Sequence, residues 1–219
     1  MDKILNNIKK DFIIEFRGLS GLSISFAFAV IITLSISLVA GATPFSPMVH
    51  AIIFWVILFF SAMSGLAHTF IREEEEKTSL FLSLHYSPEE IYIAKLIFNI
   101  VLMLSISVIV TPLYLFFLQV VPVYLDLFCV VTLAGSIAIA SVATIFGAMV
   151  AKANAGSSLF ALISFPILLP VLWTTISMTA VSIEGTAVKE YGSIIFLLAF
   201  SGVIILTSYL AFRFIWKEV

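Results

Sequence analysis

REEEEKTSLFLSLHYSPEEIYIAK, residues Arg72 to Lys95, is the only long polar passage between apolar runs, and its reading decides how the rest of the chain is arranged. Glu73 and Lys77 stand four apart with the acid first, the favourable direction for a helical ion pair. Leu80 and Leu84 continue that line one and two turns on, with Phe81 beside them, so a short helix here presents an apolar ridge after an acidic start. Ser87-Pro88-Glu89-Glu90 then opens a new helix. Serine is a preferred N-cap, proline suits the first helical position, and Glu90 at the third can reach back to the cap. The segment 71–90 therefore reads as a helix, a sharp turn and a capped entry into the next apolar run. A plain reading makes it a solvated connection. The ridge of Leu80, Phe81 and Leu84 argues for more, because it needs a groove to fill, with Glu73, Glu74, Glu75 and Glu76 at the rim.

Apolar residues make up 62% of the 219 positions and charged ones 11%, and the mean hydropathy is +1.20. That balance excludes a soluble domain and describes an all-α protein that crosses a membrane several times. A formal net charge of -2 points to no nucleic-acid partner. Cys129 is the single cysteine, which excludes an internal disulfide and any CxxC motif. Small residues at Val39-Ala40-Gly41-Ala42 resemble a cleavage site, but the long mixed-charge leader favours an uncleaved first span.

Residues 1–19 are amphipathic. Ile4, Leu5, Ile8, Phe12, Phe16 and Leu19 share an arc of about 120°, while Lys3, Lys10 and Arg17 project elsewhere and Glu15 intrudes, the pattern of a helix lying in the membrane interface. Six apolar stretches follow, Leu22 to Ala40, Met48 to Phe70, Leu96 to Leu118, Leu127 to Val150, Leu159 to Val181 and Ser193 to Ile215. Each is near the roughly 20 residues a helix needs to cross about 30 Å of hydrocarbon. With the N-terminus in the cytosol, every lysine and arginine except Lys189 falls on the cytosolic side. The positive-inside rule then places both termini there and leaves only short outer loops.

The spans hold few polar groups. No acid or base lies near a midplane, and Lys95 is expected to snorkel to the inner surface, so coupling to an ion gradient has no obvious residues. The fourth span carries Gly135, then Ala143 and Gly147 four apart, a face for close helix packing within the subunit or between two copies. The fifth carries Pro166 and Pro170, one turn apart, which are expected to kink it and make a moving part, or to be architecture alone. His50, His68 and His85 are too scattered to share a metal. No nucleophile with its base, phosphate loop or zinc motif is present, so the chain has no ATPase site of its own.

Lys10-Asp11 with Glu15 and Arg17 before the first span, the Arg72 to Lys95 stretch with Ser87-Pro88, Ala94-Lys95 and Asn99, and Phe165-Pro166-Ile167-Leu168-Leu169-Pro170-Val171-Leu172 preceded by Gly147, Lys152 and Gly156 resemble the CcmB family. Its members are the ABC-2 type permeases of the haem exporter of cytochrome c maturation, and the resemblance covers essentially the whole chain. It implies a single transmembrane domain over residues 1–219 in a bacterial inner membrane, with 71–90 as the segment that couples to a cytosolic ATPase subunit, CcmA. It also implies the haem-handling membrane proteins CcmC and CcmD and a periplasmic haem chaperone as neighbours, haem as cargo, and ATP acting only through the partner. The family often has a glycine after the acidic run, where this chain has Lys77-Thr78. The alternatives are an ABC-2 permease exporting another amphiphile and a structural subunit that only scaffolds a membrane complex.

Overall fold

A computed structural model of the protein describes residues 2–18, 20–41, 45–66, 70, 73–74, 76, 78, 82, 84–152, 157–186 and 191–216. Among these residues the chain is helical, with seven long helices: α1 Asp2–Gly18, α2 Ser20–Ala40, α3 Pro47–Leu66, α4 Pro88–Phe117, α5 Leu125–Lys152, α6 Ser157–Glu184 and α7 Tyr191–Trp216. The six apolar stretches correspond to α2 through α7. Five of these helices are long and apolar enough to cross a membrane, and the described apolar run of α3, Pro47–Met63, is shorter.

α5 is the centre of the bundle. It packs most heavily on α6, then on α7 and α4, while α2 pairs with α3 and α4 and α3 lies against α6. Small residues allow this. Gly135, Ser136, Ala138, Ala140, Ser141, Ala143, Thr144, Gly147 and Ala148 are all buried on α5, giving shallow surfaces into which larger neighbours fit. At Gly135 a Cβ would lie 2.7 Å from Thr175 Cγ2 of α6 and closer still to the Trp55 ring of α3. Trp55 is fully buried, and its indole N–H donates to Thr179 of α6 at 2.8 Å. The missing side chain thus makes room for a tryptophan that ties three helices. A second buried tie, Asn99 Nδ2 to Thr144 Oγ1 at 3.0 Å, joins α4 to α5.

α6 continues as one helix through Pro166 and Pro170, and both prolines are exposed on its outer side. Thr174 donates to the Pro170 carbonyl at 2.8 Å, so a side chain engages a backbone group one turn away. α4 likewise continues through Pro112. At the opposite end of the bundle from the charged segment, His50 and Tyr114 bond to each other. The Tyr114 hydroxyl donates to the His50 carbonyl at 2.9 Å and lies 3.2 Å from the ring nitrogen Nδ1, while exposed His85 is far along the chain and His68 lies outside the described residues.

Candidate functional site

The start of α4 forms as its sequence demands. Ser87 Oγ accepts the Glu90 amide at 3.3 Å and Glu90 Oε2 accepts the Ser87 amide at 2.9 Å, a reciprocal cap with Pro88 at the first helical position. The helix is 30 residues, which is about 45 Å against a hydrocarbon core of about 30 Å, so it is longer than the apolar layer is thick.

About two turns into α4, Lys95 departs from expectation. Its side chain does not snorkel; the residue is fully buried. The ammonium lies 3.0 Å from each carboxylate oxygen of Asp11 on α1 and 2.6 Å from Glu73 Oε1. Lys10 of α1 reaches the same Glu73 oxygen at 2.7 Å and stands 3.3 Å from Asp11. Two ammonium groups and two carboxylates therefore cancel within one cluster, which is how a buried lysine avoids an uncompensated charge. Snorkelling loses because the anions come to the lysine. Burial opposes the charge on Glu73, but Lys95 and Lys10 outweigh it and hold its carboxyl below the ordinary value of 4.5. Burial likewise opposes the charge on Lys10, and Glu73 and Asp11 reverse that effect and raise it above 10.5. Asn7, one turn before Asp11, is also buried, and neither its amide nor Glu73 Oε2 has a hydrogen-bond partner among the described residues.

The expected rim position of Glu73 is corrected by this arrangement: at 6% exposure it faces the bundle. Glu74 pairs with Lys152 at the end of α5, 3.3 Å away, and that ammonium also sits 4.4 Å above the Trp216 ring of α7. Glu76 is exposed. Glu75, Lys77, Leu80 and Phe81 lie outside the described residues.

Farther along, the Glu73 carbonyl accepts the Thr78 amide at 2.9 Å, the Thr78 carbonyl accepts Leu82 at 3.1 Å, and the Leu82 carbonyl accepts Tyr86 at 2.9 Å. Leu82 is 3% exposed and packs in a second core with Phe70, Ile91, Tyr92, Phe212 and Trp216. Leu84, two residues on, is 82% exposed. The inward anchor is therefore a residue outside the i, i+4 line that the sequence suggested.

A family model described as CcmB protein matches residues 2–214. The chain belongs to the CcmB family. Membership makes it a multi-pass permease subunit of the ABC transporter class that serves cytochrome c maturation, a family that is not itself the ATPase. A search of curated proteins returns no match. In this CcmB protein the sequence motifs Lys10-Asp11 and Ala94-Lys95 meet in space, joined by Glu73. The signal on α1 was the line Asn7, Asp11 and Glu15 at i, i+4 spacing along the edge of the apolar arc, of which Asn7 and Asp11 are buried.

Gly135, Ala143 and Gly147 all lie in the interior of this subunit. Pro166 and Pro170 are on the far side of the bundle's own core and join no polar cluster among the described residues.

Proposed function

We propose that the chain is the permease of a haem exporter in which segment 71–90 docks on a cytosolic ATPase subunit and passes its motion to α4. Leu84 carries the reading. It is a large apolar side chain left exposed beside the firmly anchored Leu82, on a segment bounded by a capped helix start. A partner groove that covers it gains about 1.5 to 3 kcal/mol, more than the roughly 0 to 1 kcal/mol of an exposed ion pair with Glu76. The rigid cap then transmits displacement better than a slack loop would.

In this reading α3 is the sixth span, both termini are cytosolic, and the membrane is the bacterial inner one. Haem is cargo delivered toward a periplasmic chaperone with the help of CcmC and CcmD, and ATP enters only through the partner. Two copies of the permease serve two ATPase subunits.

Changing Leu80, Phe81 or Leu84 to aspartate should abolish co-purification of the ATPase while leaving membrane insertion intact. Wild-type recovery of the ATPase with all three variants would refute the docking. In a Cys129→Ala background, cysteines at Ser46 and Thr186 should be labelled from outside and one at Glu76 only from the cytosol.

A further inference from the structure

We infer that Lys95 is a positioning residue of the transport cycle: by holding Asp11 of α1 and Glu73 of the coupling segment on one buried ammonium, it makes the interfacial helix travel with that segment. The cycle itself rests on the docking reading above; the ionic contacts do not.

α1 has few other attachments. It packs chiefly on α4 and only slightly on α2, and Leu5 and Ile13 are left exposed. Phe12 meets Phe98 of α4 edge to face at 5.0 Å. Beside this packing the grip has two ionic prongs of opposite sign. Lys10 bonds outward to Glu73 and Asp11 bonds to Lys95. Rotating α1 by one residue, about 100°, would in one sense put Lys10 against Lys95 and in the other put Asp11 in the place of Lys10 beside Glu73. Like charges then face each other, so the pairing fixes the rotation and register of α1 as well as its presence.

An apolar joint would hold α1 without this. Buried ionic groups give little net stability compared with packed apolar side chains of the same size, and their best attested use is to select one arrangement. Here the arrangement selected links three elements at the level where the ATPase would push. Lys95 stands on α4 about two turns beyond the cap, Glu73 stands in the coupling segment, and Asp11 stands on α1. Displacing the segment and α4 while α1 stayed behind would separate Asp11 from Lys95 as well as Glu73 from Lys10, leaving the buried Asp11 carboxylate only the partly exposed Lys10. The lower-energy course moves all three together.

The test places spin labels at exposed Leu5 and Thr78 in a Cys129→Ala background and measures the distance between them in nanodiscs. The sample is the permease with its ATPase subunit, nucleotide-free and trapped with vanadate, and in parallel the permease alone. A single narrow distance that is the same in both states is expected for the wild type. The neutral variant Lys10→Met/Asp11→Asn/Glu73→Gln/Lys95→Met should lose the narrow peak even where the ATPase still co-purifies. A wild-type distance that shifts on trapping overturns the inference, and so does a neutral variant with a peak as narrow as wild type. If the wild-type ATPase fails to bind, the docking reading fails; the ionic clamp is then judged on the permease alone, where an unbroadened neutral variant refutes it.

Discussion

Replacing Lys95 with methionine removes one ammonium and leaves two buried carboxylates with one partner. Methionine matches the lysine stem in length, so packing changes little and the loss is electrostatic. Breaking a buried ion pair on one side costs about 3 to 5 kcal/mol because the other charge stays behind. In this cluster Lys10 remains 2.7 Å from Glu73 and 3.3 Å from Asp11, and it is partly open to solvent. One of the two anions is still compensated, which points to the lower end, about 3 kcal/mol, or on the order of a 100-fold fall in the folded-to-unfolded ratio. Removing the anions as well, with Asp11→Asn and Glu73→Gln added to Lys95→Met, should return stability to within about 1 kcal/mol of wild type, since the one charge left in the cluster, Lys10, is partly open to solvent. Denaturant titration of the purified protein in nanodiscs, read by tryptophan fluorescence, measures both. Two results would refute the reasoning. A Lys95→Met protein as stable as wild type would mean the carboxylates do not depend on that ammonium, and a triple variant as weak as the single would mean that shape, not charge, was lost.

Gly135→Ala should destabilise by about 1 to 3 kcal/mol, because the added methyl meets the Trp55 ring and Thr175; an unchanged denaturation midpoint would show that the helices can separate freely there. The depressed Glu73 carboxyl contributes stability above its ordinary value of 4.5 that is lost as pH falls through its lower folded value, and the raised Lys10 contributes below 10.5 and loses it as pH rises through its higher one. Stability attributable to these two groups should therefore be level from about pH 5 to pH 10, and Glu73→Gln should flatten the acid limb in a pH series of thermal melts. Replacing Pro166 and Pro170 together with alanine should leave insertion and assembly intact but lower the yield of mature c-type cytochrome, and full yield would assign the prolines to architecture.

Much of the fold was legible because one-dimensional rules govern it. Apolar run length marks each of α2 through α7, and Ser87-Pro88 with Glu90 marks the start of α4 because a cap is made within four residues. The packing face of α5 was visible in Gly135, Ala143 and Gly147, although only three dimensions reveal Trp55 as what the glycine admits. The charge cluster was harder. Asp11 and Glu73 are 84 and 22 residues from Lys95, so no helical periodicity relates them. A lysine near a span end is ordinarily read as reaching for water, and a run of four glutamates is read as solvated throughout. Glu73 escapes that rule since it is the first of the run and closest to α3. Leu82 was missed for a related reason: spacing along an isolated helix identifies ridges, but which side turns inward depends on α4 and α7, which follow later in the chain.

The order in which the charges occur along the chain bears on its biogenesis. Asp11 and Glu73 both precede Lys95, so when the ribosome has completed α4 every member of the cluster has been synthesised. Lys95 meets counter-ions already synthesised, and the first half of the protein can neutralise itself before α5 emerges. Lys152 comes next and finds Glu74 waiting in the same segment. Trp216, at the end of α7, then closes over Lys152 as the last described residue to arrive. Membrane insertion can thus proceed in the direction of synthesis without a buried ammonium waiting for a partner still to be translated.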